Sequence, residues 1–167
     1  NDKVTLQTEY RLVNEKSKHT VDFSSTQQSN KASKNHFFSE SRKSINFLNF
    51  NESEVSLQLQ KTSSDTYLKT HKIKPPLISN YNLLTSTLGM SGYSEDLVFD
   101  TNFKVYEDLS KKESDRFEFI YPSFNVTKRF NNLENINGNL SLNSSGFIKN
   151  YNTNIYEAVE VNNLVYD

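Results

Sequence analysis

Apolar and polar residues change places at every step in Val55-Ser56-Leu57-Gln58-Leu59-Gln60, and no other feature constrains this chain as much. Successive side chains point to opposite faces in an extended strand, whereas a helix needs its apolar residues three and four apart. The same period returns in Val4-Thr5-Leu6-Gln7-Thr8-Glu9-Tyr10-Arg11-Leu12, where Thr8 dilutes the apolar face. Leu97, Phe99, Thr101, Phe103 and Val105 share one face of a further run, opposite Val98, Asp100, Asn102, Lys104 and Tyr106. Phe117, Phe119 and Tyr121 alternate with Arg116, Glu118 and Ile120, and Leu140 and Leu142 with Asn139, Ser141 and Asn143. Polar breakers separate the runs at 14–18, 28–35, 49–53, 91–96, 109–115 and 131–135. The spacing predicts an all-β chain, an antiparallel up-and-down meander of about nine strands, many of roughly 9–13 residues. Pro75-Pro76 marks 63–80 as the longest irregular stretch, since proline cannot donate to a central ladder. The one helix candidate, 106–118, is charged but has no apolar stripe. Neither a repeat nor a domain boundary divides residues 1–167.

Strands of this length exceed the ~5–6 residues of ordinary globular strands and match the ~9–11 of tilted membrane strands. Composition points the same way. Only 34% of residues are hydrophobic, low for a packed core, yet 13% are aromatic, through Phe and Tyr, which is too many for a disordered chain. A wall with one face in lipid and the other lining a wet lumen has this half-polar makeup, so the expected architecture is part of a large transmembrane β-barrel. No window approaches ~18 consecutive apolar residues, which excludes a membrane-spanning helix. A net charge of −1 offers no attractive field to nucleic acid. The absence of Cys rules out disulfides, thiolate metal sites and Cys nucleophiles in this stretch. The chain begins at Asn1 without Met or a signal peptide and stops at Asp167 in mid-pattern, and is expected to be an internal piece of a longer protein.

Reactive constellations are scarce. His19, His36 and His71 have no carboxylate or second His at a ligand-like spacing and read as exposed strand or loop histidines. Glu107-Asp108 and Glu113 with Asp115 flank a predicted hairpin tip. Acid–base catalysis needs one carboxyl raised in a dry pocket, which a loop tip does not offer. Binding a divalent cation between lipid phosphates is the other role open to them, though Lys111-Lys112 stands beside them. There is no Gly-x-Ser-x-Gly elbow and no Gly-rich phosphate loop, so no enzymatic activity and no cofactor are expected. Tyr10, Phe37, Phe38, Tyr67, Tyr81, Tyr93, Tyr106, Tyr121, Tyr151 and Tyr166 often fall near predicted strand ends. That suits an aromatic girdle at a membrane surface and equally the core of a soluble sandwich.

Several short segments follow one another in a telling order: Glu9-Tyr10-Arg11, Ser64-Asp65-Thr66-Tyr67-Leu68, Leu84-Thr85-Ser86-Thr87-Leu88 and Val105-Tyr106-Glu107-Asp108-Leu109. Asp115-Arg116-Phe117-Glu118, Tyr121-Pro122, Leu142-Asn143-Ser144-Ser145-Gly146-Phe147 and Asn150-Tyr151-Asn152-Thr153-Asn154 continue it. In this order, across nearly the whole chain, they resemble the alphaproteobacterial form of the lipopolysaccharide-assembly protein LptD. The resemblance implies a barrel of the Gram-negative cell outer membrane that inserts lipopolysaccharide into the outer leaflet through a seam between its first and last strands. It further implies an LptE-like lipoprotein plug in the lumen and a periplasmic Lpt bridge that docks through a jelly-roll domain. That domain, its Cys residues and the later strands are missing here, so the chain would be the first half of the barrel.

On this reading Val55, Leu57, Leu59, Leu84, Leu88, Met90, Leu97, Phe99, Phe103 and Val105 face outer-membrane lipids. Gln58, Gln60, Asp100, Asn102 and Lys104 face the lumen. A porin or receptor barrel would share the alternation, and a soluble β-sandwich binding module would bury the same apolar residues between two sheets.

Overall fold

The computed structural model describes residues 3–29, 31–112, 115–131, 138–151 and 155–166. Alternation becomes strand throughout: β1 (Lys3–Asn14), β2 (Ser17–Gln28), β3 (Lys31–Ser44), β4 (Glu52–Thr62), β5 (Leu83–Tyr93), β6 (Leu97–Asp108), β7 (Phe117–Phe130), β8 (Leu140–Tyr151) and β9 (Tyr156–Tyr166). They form one antiparallel sheet in sequence order. It is open, with β1 and β9 as its edges, and no second sheet lies against it among the described residues. At 11–14 residues the strands are as long as their patterns predict. The 106–118 segment is the end of β6, a connection and the start of β7.

Two irregularities matter. Pro122 lies inside a central strand, where its missing N–H should be excluded. The ladders of β7 with both β6 and β8 slip at this point, leaving Tyr121 and Pro122 out of register. A bulge thus absorbs the proline.

The other irregularity is a split. The β4–β5 ladder ends at Gln58 and Thr87, although β4 continues to Thr62 and β5 starts at Leu83. The 63–82 connection folds back over this end, carrying the single helical turn α1 (Tyr67–Thr70), too short for any periodic signal. Phe38, Tyr67, Leu68, Ile73, Leu84 and Leu109 form the buried cluster there, with Leu77, Ile78 and Tyr81 packed against it. The buried apolar core is therefore local to one end of the sheet.

Candidate functional site: an exposed apolar face and a closed polar pocket

The strand registers sort side chains onto two faces. Leu57 stands opposite Leu88 and Leu88 opposite Phe103, while Val55 faces Met90 and Phe99 faces Val126. Gln58 stands opposite Thr87, Thr87 opposite Lys104, Gly89 opposite Asn102 and Ser91 opposite Asp100. The ten residues expected to face lipid share one face by register, and the five expected to face the lumen share the other. The first face is apolar and open: Leu6 is 63% exposed, Leu88 48%, Phe103 44% and Leu57 36%. Exposed apolar side chains that neighbour one another across strands mark a surface that meets a partner or a lipid phase. The division is clearest on β4 and β6; on β3 the apolar face carries Ser39, Ser41 and Lys43 beside Phe37, and Phe38 stands on the polar one. On β9 it fails, for Glu160 and Asn162 stand on the apolar face and Val159 and Val161 on the polar one.

The apolar belt does not run straight across the register. On β1–β3 it centres on Tyr10, Phe23 and Phe37, and polar Ser41 and Lys43 occupy the β3 end nearest the 45–51 turn. On β4 and β6 the polar residues sit at the other end, at Lys61 and Glu107. On β8 the belt has moved to Leu140 and Leu142, which register with Phe130 and Lys128. From Phe37 on β3 to Leu140 and Leu142 on β8 the belt shifts along the register, while on β7 the apolar side chains of this face run from Phe117 and Phe119 to Val126 and Phe130.

Two assigned residues depart from their expected surroundings. Leu84, expected to meet lipid, is 1% exposed because the 63–82 connection packs against it at the split. Gln60, expected to line an open lumen, is buried: its Nε2 donates to the Leu77 carbonyl (3.0 Å), and its Oε1 accepts from the Thr85 amide (2.8 Å). Its side chain takes the place of the missing ladder.

The histidine expectation is also corrected. His36 is fully buried, because β2 and β3 set Asp22 and Ser24 beside it and the 63–82 connection covers all three. Its Nε2 lies 3.1 Å from Asp22 Oδ2 and its Nδ1 2.6 Å from Ser24 Oγ. Tyr67 plunges from α1 into this pocket, its hydroxyl 2.9 Å from Ser24 Oγ and 3.0 Å from Thr26 Oγ1. Asp, His and Ser in hydrogen-bonded order suggest a nucleophilic triad. Here Asp22, Ser24 and His36 are each 0% exposed and Tyr67 fills the approach to the serine, so the arrangement seats the connection and leaves no room for a substrate. Its one sequence signal was a polar residue at every second position of β2: Thr20, Asp22, Ser24, Thr26.

Nor is Glu107 a loop-tip acid. It is 6% exposed and accepts from Arg116 Nε (2.9 Å), Arg116 Nη2 (2.6 Å) and Lys61 Nζ (3.1 Å). Arg116 also reaches Asp65 Oδ1 at 2.7 Å, tying the 63–82 connection to the β6–β7 hairpin. This bond holds the Asp65 carboxyl below the usual carboxylate range, and the two carboxylates push the guanidinium further up. Glu113 lies outside the described residues, as do Asn152, Thr153 and Asn154 of the last motif. No cluster of three metal-ligating side chains occurs among the described residues.

The aromatics divide as well. By register Tyr10, Phe37 and Tyr166 lie on the apolar face, where the Tyr121 ring also meets Phe103 and Phe119, whereas Tyr93, Tyr106 and Tyr151 lie on the polar face. Phe38 and Tyr67 are buried in the cluster, so a girdle cannot include all ten. Comparison with known proteins gives no matching family model, no matching curated protein and no matching solved structure.

Proposed function

We propose that this chain is a stretch of transmembrane β-barrel wall, its apolar face in lipid and its polar face toward a lumen. The observation that carries the reading is the exposed apolar face of β4–β6, where Leu57, Leu88, Phe99 and Phe103 share one side of the sheet and Gln58, Asp100 and Asn102 the other. A soluble sandwich would bury its apolar face beneath a second sheet; this face is uncovered among the described residues. Single cysteines at Leu57, Phe99, Phe103, Gln58, Asp100 and Asn102 in the membrane-embedded protein test it. A lipid-soluble maleimide should label the first three and a charged maleimide only the last three; equal labelling by both would end the reading.

On the resemblance to LptD, the barrel would insert lipopolysaccharide into the outer leaflet of the Gram-negative outer membrane, with an LptE-like plug and a periplasmic bridge as partners. The Tyr-Glu-Asp-Leu and Asp-Arg-Phe-Glu segments that carry the resemblance meet in one hairpin through the Glu107–Arg116 pair, which supports treating them as one unit. Depleting the protein in its native cell should strand lipopolysaccharide short of the cell surface. Unchanged surface lipopolysaccharide with a changed small-solute uptake would favour a porin instead.

A further inference from the structure

We infer that the 63–82 connection is a releasable latch: seated, its Tyr67 keeps the β4–β5 split plugged, and in acid it lets go and opens that split toward the polar face. The split is a true discontinuity, for Gln60 bridges it with side-chain bonds where a ladder should run. The plug is held by Asp65 on Arg116, the Tyr67 hydroxyl on Ser24 and Thr26, the Leu77 carbonyl on Gln60, Ser63 on Asn35 and Lys34 on Ser64, and by Tyr67, Leu68 and Ile73 in the apolar cluster. Two polar atoms at this end, Thr62 Oγ1 and His71 Nδ1, are shut from solvent with no hydrogen-bond partner among the described residues. Lys72, just after α1, adopts a positive φ of 54°. The unsatisfied groups are the weak points of this otherwise packed seat.

His71 supplies the trigger. Its ring lies 4.9 Å from that of Tyr67, so it is part of the seat. A second ring proton would add a cation beside a nitrogen that already has no acceptor. The charges facing it are Lys3 from β1 and Lys34 from β3. The nearby carboxylates are engaged: Asp22 of β2 with His36 and Gln7, Glu9 of β1 with Arg11, Glu107 of β6 with Lys61 and Arg116, and Asp65 of the latch with Arg116. His36 of β3 has both ring nitrogens bonded, and Lys69 bonds Asn82.

Burial and then the two lysines hold the seated imidazole below its ordinary value of 6.5. The seated state therefore binds fewer protons than the released one. Its stability is complete above about 6.5 and is lost as pH falls through that value toward the seated one. The wall reading decides only what the opening would expose; the experiment reads the latch itself.

Amide hydrogen exchange of the full-length protein in detergent micelles, corrected for intrinsic rates, should show residues 63–73 several-fold less protected at about pH 5 than at about pH 7.5. His71→Gln should abolish the difference, and Lys3→Gln, on an exposed side chain, should shrink it. Tyr67→Phe should lower protection at both pH values while keeping the difference. Equal protection at both pH values in the wild type overturns the latch, as does an undiminished difference in His71→Gln or in Lys3→Gln.

Discussion

At the scale of single residues, the sheet depends on a few groups that parity alone would misassign. Arg116 joins two carboxylates, one of them nearly buried, and removing it leaves Glu107 with only Lys61. Arg116→Leu should therefore destabilise this end by about 2–3 kcal/mol, read as a shift in the denaturant midpoint. Glu107→Gln should cost less, because the remaining amide can still accept from the guanidinium. Small residues matter for the opposite reason. A Cβ on Gly146 would stand 2.6 Å from the Val159 carbonyl and 3.0 Å from the Phe124 ring, so Phe124 roofs the glycine and β9 closes against it. Gly146→Val should cost about 1–3 kcal/mol and loosen β8–β9 first, visible as faster amide exchange in β9 while β4–β6 keep theirs.

Elements follow from the alternation, and their departures have causes. β7 bulges at Pro122 because both neighbouring ladders must bypass a residue without an N–H. The β4–β5 ladder stops short because the 63–82 connection drives an apolar cluster into the gap. A lysine on the apolar face and one on the polar face of the same strand should behave differently. Leu57→Lys should cost roughly 2–4 kcal/mol of assembly in lipid, near the middle of the belt, and Gln58→Lys next to it almost nothing. Folding yield into vesicles, followed by heat-modifiable migration on gels, measures the difference. Equal yields would contradict the facing assigned to β4.

At the scale of the whole sheet, the described residues form one layer with β1 and β9 at its edges and one uncovered apolar face. Among the described residues no strand pairs with the outer sides of β1 and β9, and unpaired edges join other chains. The 167-residue chain alone should therefore associate in water and disperse only in detergent or lipid, as sedimentation would report. A stable monomer in buffer would refute that expectation.

Period-2 patterning was enough to determine strand number, strand length and the order of a meander, because each depends on local alternation and on breakers between runs. It also sorted Leu57, Phe99 and Phe103 from Gln58, Asp100 and Asn102, since register preserves parity across neighbouring ladders. What only the tertiary structure decided involves residues distant in the chain: Tyr67 reaching Ser24 and His36, Asp65 reaching Arg116, and Leu84 and Gln60 enclosed at the split. A loop that folds back onto its own sheet leaves no periodic trace, and burial there is set by what covers a residue, which spacing along the chain does not encode.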